Sequence, residues 1–151
     1  MTTVTRGGWA LCFSEPWRNE IKNSVSSIRN TRCTNSRLML GCRRTGSSTI
    51  QLLAWAPRTV IFTDTSGSSS ATTNSHGTEW YFDNQAWGFA SGGDRVSKSS
   101  CDTASSGDPE KRLCFGMQHA GWRCGSDKST TQDFEKLIFQ GGIISILSSL
   151  I

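Results

Sequence analysis

Six cysteines are spread through this chain of 151 residues and limit the folds that are open to it. They lie in or beside apparent strands at irregular spacing, and none forms the close C-x-x-C pair that zinc sites and redox motifs use. This pattern is typical of a disulfide framework in a loop-rich domain. Free buried cysteines, which act as small apolar residues, are the alternative. The positions are Cys12, Cys33, Cys42, Cys101, Cys114 and Cys124, and the sequence does not choose their pairing.

The length suits one compact domain whose core the disulfides supplement. We expect a single β domain over residues 1–140 and an apolar C-terminal tail over residues 141–151. The apolar tract at 143–151 is far shorter than the roughly 20 residues that a membrane-spanning helix needs. Residues 1–13 lack the apolar core of a signal peptide, so the secreted or extracellular location that disulfides predict implies a removed leader or an unconventional export route.

The charge is divided unevenly along the chain. Residues 1–60 carry nine basic and two acidic residues, whereas the remainder carries seven basic and ten acidic ones. Guanidinium groups match planar oxyanions, so the arginines of the first part predict either an oxyanion site or an ordinary solvated face. The overall charge of +4 is small, and no nucleic-acid-binding motif is present, so we expect no nucleic-acid partner. The arginines concerned are Arg32, Arg37, Arg43, Arg44 and Arg58.

Hydrophobic periodicity predicts one N-terminal helix followed by strands. A helix at about 15–29 is indicated by the capping sequence Ser14-Glu15-Pro16 and by apolar residues four, four and three positions apart. Short apolar runs separated by Gly, Ser, Asn and Asp then predict an antiparallel sandwich or barrel. The predicted strands are 37–42, 49–56, 60–63, 78–82, 87–89, 113–117, 122–124 and 134–140. The hydroxyl-rich segments 64–78 and 91–111 are predicted loops.

No motif predicts catalysis, a metal site or a cofactor. The segment 41–48 has the glycine spacing of a P-loop, but Ser47 replaces its lysine, so we interpret it as a turn. His76 and His119 lack the close Cys or His pairs of a zinc site. Pairing of either with a serine nucleophile is possible, but without a G-x-S-x-G motif coincidence explains it. Acidic residues near strand ends are more simply turn caps than a glycosidase pair, and we expect no enzyme. These acidic residues are Asp64, Glu79, Asp83 and Asp94.

Aromatic residues are the candidates for ligand contact. The chain has six tryptophans, which in a β domain mostly fill the core, while exposed indoles stack on sugars or apolar partners. Trp80, Tyr81 and Trp87 are flanked by the long polar loops, and we predict that they bind the ligand.

The tail is the candidate for self-association, because an exposed apolar strip usually marks an interface. Its apolar residues alternate with serines at near-helical spacing, and docking back onto the same domain, onto another copy or onto a membrane surface are the alternatives. The residues concerned are Ile143, Ile144, Ile146, Leu147, Leu150 and Ile151.

An ordered series of short motifs spans about residues 9–140 and carries a family resemblance. It reads W-x-x-C, L-M-L-G-C-R-x-T-G-S, L-L-A-W-A-P-R, G-T-E-W-Y-F, W-G-F-A, G-D-x-V, S-C-D-T, R-L-C-F and G-W-R-C-G. The chain resembles a poorly characterised family of extracellular, tryptophan-rich β modules with six cysteines. All six cysteines fall inside the pattern, so the resemblance implies disulfide bonding and export, and it assigns no catalytic residue.

Two functions from different classes follow from these observations. The first is a non-catalytic, lectin-like recognition module that holds a glycan or cell-surface ligand between aromatic side chains and hydroxyl-rich loops. The second is a self-assembling structural or matrix protein that uses the apolar tail and the charge division. A carboxylate-dependent hydrolase is a weaker third possibility.

Overall fold

The computed structural model describes residues 8–105, 107–118, 120, 123–128 and 133–141. Within these residues the backbone forms nine strands that pair antiparallel. The strands are β1 (Ala10–Pro16), β2 (Arg37–Arg44), β3 (Leu52–Pro57), β4 (Thr73–Ser75), β5 (Thr78–Phe82), β6 (Ala86–Ser91), β7 (Leu113–Gly116), β8 (Arg123–Cys124) and β9 (Phe134–Gly141).

The helices are short. A 3₁₀ helix (Ile21–Ser24), a turn of α-helix (α1, Val25–Ser27) and a π-helical turn (Ile28–Arg32) follow one another without a break. A second α-helical turn, α2 (Arg58–Ile61), directly follows β3. Two further 3₁₀ helices, Lys98–Ser100 and Pro109–Lys111, lie in the long loop between β6 and β7.

The strands form two sheets that pack face to face. The four-stranded sheet has the order β1-β9-β2-β3, and the five-stranded sheet has the order β4-β5-β6-β7-β8. Alternate residues of each strand point inward, so Leu38 and Leu40 of β2 share one core with Trp87 of β6 and Phe115 of β7. The prediction of a mainly β, antiparallel, disulfide-stabilised domain with one N-terminal helix is confirmed, and of the two predicted architectures, sandwich or barrel, the two sheets correspond to the sandwich.

A smaller second core lies on the outer side of the five-stranded sheet, beneath the β6–β7 loop. Tyr81, Ala90 and Cys114 of the sheet are buried there with Val96 and Cys101 of the loop. The Tyr81 side chain lies across β6 toward β7 because β6 carries a glycine, Gly88, at its middle. A Cβ atom on Gly88 would lie 1.9 Å from the Leu113 carbonyl oxygen, which accepts a 2.8 Å hydrogen bond from the Tyr81 hydroxyl.

All six cysteines are paired, which confirms the predicted disulfide framework and settles its connectivity. Cys42–Cys124 joins β2 to β8 and therefore links the two sheets through the core. Cys12–Cys33 ties β1 to the end of the π-helical turn. Cys101–Cys114 fastens the β6–β7 loop to β7.

The local assignments were wrong at two places. Ser14, Glu15 and Pro16 end β1 and do not begin a helix, since the Glu15 carboxylate lies 3.2 Å from the ammonium group of Lys136 on β9, and β1 is an edge strand that tolerates proline. Segment 60–63 is not a strand, since its first two residues belong to the helical turn α2, which begins directly after Pro57 at the end of β3. β1 was not predicted, because its partner β9 is distant in sequence. β4, which forms a short hairpin with β5, was not predicted either, because it lies in the hydroxyl-rich segment 64–78.

The predicted apolar tail and its self-association residues from Ile143 to Ile151 lie outside the described residues. The division of the chain into residues 1–140 and 141–151 therefore stays a prediction. Among the described residues, no helix is long and apolar enough to cross a membrane.

The sequence separations of the disulfides predict unequal contributions to stability. Cys42–Cys124 closes a separation of 82 residues and Cys101–Cys114 one of 13. Loop-closure entropy then predicts a loss of about 4.5 kcal/mol in the free energy of unfolding for the Cys42→Ala, Cys124→Ala pair and about 3 kcal/mol for the Cys101→Ala, Cys114→Ala pair. Urea denaturation of the two double variants measures both values. A larger loss for the shorter loop would contradict the entropic account.

Candidate functional site

The structure places the predicted ligand-binding aromatics inside the protein. Trp80 and Tyr81 are each 1 % exposed and Trp87 is fully buried. Trp80 and Trp87 face the main core, where Trp80 packs on Phe89 and the Trp87 indole nitrogen donates to the Ile61 carbonyl oxygen. Tyr81 points to the opposite side of its strand and lies in the second core. None of the three rings presents a face to solvent, so the structure offers no surface for the predicted ligand contact, which stays a prediction.

A cleft with different aromatic residues lies at the β5–β6 turn, beside the loop that follows α2. It consists of two adjoining cavities of about 220 and 540 Å³ that share Ser66, Asp83 and Asn84. We call it the turn cleft. Its aromatic half is completed by Arg29, Phe62, Asp64, Phe82 and Met117, and its polar half by Ser68, Ser69, Gln85, Ser99 and Gln118.

The buried ammonium group of Lys98 shapes the polar half. Its Nζ atom donates to the carbonyl oxygen and hydroxyl of Thr65 and, at 2.9 Å, to the carbonyl oxygen of Ala71. These contacts gather the hydroxyl-rich loop around one cation that has no solvent exposure. The same Nζ lies 3.5 Å from Asp83 Oδ2, so the loop is fixed to the β5–β6 turn as well.

Asp83 organises the turn at the floor of the cleft. Its Oδ1 accepts hydrogen bonds from the backbone amides of Gln85 (2.8 Å) and Ala86 (3.0 Å), while Oδ2 faces Lys98. The carboxylate is 8 % exposed, so its charge is balanced inside the protein. This arrangement leaves the side chains of Asn84 and Gln85 at the exposed tip of the turn.

The aromatic half is built around Phe62 and Phe82, whose rings meet edge to face with centroids 5.5 Å apart. The guanidinium carbons of Arg29 and Arg58 lie 5.1 and 5.0 Å from the Phe62 centroid, which is within cation–π distance. Arg58 also donates to the Cys33 carbonyl oxygen at 3.3 Å and to that of Arg29. Phe62 is only 6 % exposed, so the partly buried Phe82 supplies most of the apolar wall.

The four carboxylates considered for catalysis have structural partners. The hydroxyl and amide of Ser66 lower the pKa of Asp64. Burial opposes ionisation of Glu79, but hydrogen bonds from the Gly93 amide and from Asn74 and Thr72 outweigh it and lower the pKa. Asp83 pairs with Lys98, and Asp94 lies 3.4 Å from the guanidinium group of Arg112. A lowered pKa is the reverse of what a general acid needs.

The arginines of the first part of the chain are distributed and form no single oxyanion site. Arg32 lies over Phe13, and Arg58 binds the carbonyl oxygens named above. Arg37 lies between Trp9 and Trp55, while Arg43 pairs with Glu135 at 2.9 Å and Arg44 lies 3.6 Å from Asp127.

The remaining motif candidates also have structural explanations. His76 stacks on Trp55 with ring centroids 5.0 Å apart, and His119 lies outside the described residues. Gly46 has a φ of +82° in the turn after β2, as the interpretation of 41–48 as a turn predicts. Within the described chain, no group of three or more His, Cys, Asp and Glu side chains is placed to hold a metal ion.

Other cavities open elsewhere on the described surface. A cavity of about 430 Å³ beside β3 is lined by apolar residues such as Leu53 and Phe89 and by polar ones such as Gln51 and Lys111. A cavity of about 400 Å³ near the end of β1 contains Arg18 and Asp133, whose charged groups lie 3.8 Å apart.

Comparison with known proteins adds no assignment. A scan of protein-family models and searches of curated proteins and of solved structures find no match to this chain. The family resemblance that the motif series carries therefore stays a prediction.

The shape of the turn cleft depends on Lys98, so replacing this residue should lower the stability of the protein. Replacing it with methionine removes the ammonium group but leaves Asp83 and the loop carbonyls buried, and breaking a buried pair in this way costs about 3–5 kcal/mol. We expect Lys98→Met to lower the free energy of unfolding in urea by that amount. Lys111→Met is the matched control, because Lys111 is 69 % exposed and its pair with Asp108 is long, at 3.9 Å; it should change stability by less than about 0.5 kcal/mol. Equal effects of the two substitutions would contradict the anchoring role of Lys98.

Proposed function

We propose that this protein is a non-catalytic, lectin-like recognition module that binds a glycan in the turn cleft. The observation that supports this most strongly is the juxtaposition of exposed amide and hydroxyl side chains with a partly buried phenylalanine. Sugars offer the same combination, because hydroxyl groups alternate with apolar C–H faces along a pyranose ring. Asn84, Gln85 and Ser68 lie on the polar side and Phe82 on the apolar side.

The polar side chains of the cleft have hydrogen-bonding capacity to offer. Within the described part of the chain, the side-chain amides of Asn84, Gln85 and Gln118 make no hydrogen bond to protein, and each carries both donors and an acceptor. The hydroxyls of Ser69 and Ser99 are 3.4 Å apart, a long contact that a ligand hydroxyl can replace. A set of paired donors and acceptors matches the hydroxyl groups of a sugar.

The cleft is held in shape before a ligand arrives. Lys98 and Asp83 fix the loop and the turn through groups that are buried, so binding does not have to order these backbones. Preorganisation of this kind reduces the entropy lost on association. A glycan can therefore gain affinity from few contacts.

The proposed location is extracellular. Three disulfides join the described elements, and such bonds persist in oxidising compartments. Glycans of cell surfaces and secreted matrices are present there, which fits the proposed ligand.

Self-assembly as a structural protein is the second candidate function. It is favoured by large apolar side chains at the surface, since among the described residues Leu53 and Trp55 are 39 % and 37 % exposed. Concentration-dependent association in sedimentation experiments, without glycan binding, would favour this function over the first.

Glycan-array screening followed by calorimetry tests the proposed binding. We expect a bound glycan whose affinity falls at least tenfold in the Asn84→Ala, Gln85→Ala double variant, because the loss of a net hydrogen bond or two costs about 1.4 kcal/mol. Asn23→Ala is the matched control, since Asn23 is an exposed amide outside the cleft, and it should leave the affinity unchanged. The proposal fails if no glycan binds across a broad array, or if the double variant binds as tightly as the parent protein.

A further inference from the structure

The outward side of the four-stranded sheet is apolar across all four strands. Residues that alternate with the core positions point to this side, and the register places Met39 opposite both Trp55 and Phe139, while Phe139 lies opposite Leu11. In the next row, Leu53 and Leu137 flank Gly41. We call this surface the outer face; its apolar side chains are Leu11, Met39, Leu53, Trp55, Leu137 and Phe139.

Two glycines let large side chains lie flat on this surface. A Cβ atom on Gly41 would be 2.3 Å from Leu53 Cδ2, so the leucine occupies the space where a side chain would stand. A Cβ atom on Gly141 would be 3.0 Å from the Trp9 ring. The guanidinium carbon of Arg37 lies 5.8 Å from the Trp9 centroid and 5.5 Å from that of Trp55. The result is a smooth apolar surface with a cation at one end.

The exposure of the outer face is uneven. Leu137 and Phe139, on β9, are only 1 % and 3 % exposed, although they belong to neither core. Leu53 and Trp55, on the edge strand β3, are the exposed members. The other sheet does not cover side chains on the outward side of a two-layer sandwich, so burial this deep means that further atoms lie against them. The middle of the outer face is therefore a packing surface.

The size of the outer face favours a short segment as its occupant. Four strands spaced by about 4.8 Å are about 14 Å wide, and six residues of strand are about 20 Å long, which gives roughly 300 Å². A stable interface between folded copies buries about 800 Å² on each partner. The outer face alone is too small for a dimer but suits a peptide segment of about ten residues.

The chain itself supplies such a segment. β9, which carries Leu137 and Phe139, ends at Gly141, and the sequence continues through Gly142 into Ile143-Ile144-Ser145-Ile146-Leu147-Ser148-Ser149-Leu150-Ile151. Nine residues reach about 14 Å as a helix and about 30 Å when extended, so either conformation crosses the sheet. Tethering gives the segment an effective concentration in the millimolar range, above that of any second copy.

We propose that residues 143–151 pack onto the outer face of the same chain and shield it from solvent and from other copies. Three observations together support residues 143–151 as the occupant of the outer face: the burial of Leu137 and Phe139, the area of the face, and the apolar sequence after Gly141.

Hydrogen exchange read by mass spectrometry tests the proposal on the full chain. We expect the amides of residues 143–151 to exchange at least roughly tenfold more slowly than an unstructured peptide of the same sequence, because docked segments are protected. The Ile144→Lys, Leu147→Lys variant should lose this protection, whereas the Ser145→Lys, Ser148→Lys control, which adds the same charge at polar positions, should keep it. Exchange in the parent protein at the unstructured rate overturns the proposal.

Two further measurements test whether the outer face holds this segment and whether a second copy of the chain covers the face instead. The Leu53→Ser, Trp55→Ser variant alters only exposed side chains of the outer face, and it should release the segment while strand β6, in the core, stays protected. Retained protection of residues 143–151 in this variant overturns the assignment of the surface. Sedimentation of the parent protein should show a monomer; a dimer whose dissociation on dilution removes the protection would assign the outer face to another copy instead.

Discussion

Buried cations bonded to main-chain carbonyl oxygens hold the loops of this protein. Lys98, Arg112, Arg123 and Lys136 are each at most 1 % exposed, and each donates to carbonyl oxygens of irregular segments. Loop carbonyls have no ladder partner, and a buried carbonyl without a hydrogen bond is costly. A cation with several donors satisfies a cluster of them at once, and the burial that lowers the pKa of Lys136 is partly offset by Glu15. The turn cleft exists because Lys98 does this for the loop that forms its wall.

The disulfides and the buried cations have different roles. Cys42–Cys124 links two sheets that already share a large apolar core, so it adds stability to a sandwich whose shape the core determines. Cys101–Cys114 fastens the β6–β7 loop at one point, and the rest of that loop depends on Arg112, which binds Asp102 at 2.7 Å, and on Arg123, which binds the Asp102 carbonyl oxygen. Cross-links thus restrict the unfolded chain, whereas the cations select one loop conformation.

Periodicity and cysteine spacing were sufficient to predict the class of fold. In β2, β3 and β5 to β9, apolar residues either alternate with polar ones or form short continuous runs, and both patterns can be recognised from neighbouring residues alone. They were insufficient wherever a distant partner decides the outcome. Glu15 is held in a strand by Lys136, which lies 121 positions away.

Trp80 and Trp87 were predicted as contact residues because polar loops flank them. Strand alternation points both into the core, and the β6–β7 loop covers Tyr81 on the other side of the sheet. The aromatic side of the cleft comes from Phe62 and Phe82, and Lys98 carries no sequence signal that it is buried.

The proposal of binding in place of hydrolysis draws support from the electrostatics of the cleft. A glycosidase needs one carboxyl group whose pKa is raised so that it can protonate the leaving group, opposite a second that stays ionised. At Asp64 the hydrogen bonds from Ser66 lower the pKa instead. Asp83 accepts hydrogen bonds from two backbone amides with Oδ1 and pairs with Lys98 through Oδ2. Both carboxylates therefore serve as acceptors that fix the surrounding backbone. Beside the charged side chains of Arg29 and Asp64, the groups open to a ligand are neutral amides and hydroxyls, which can form hydrogen bonds with a sugar.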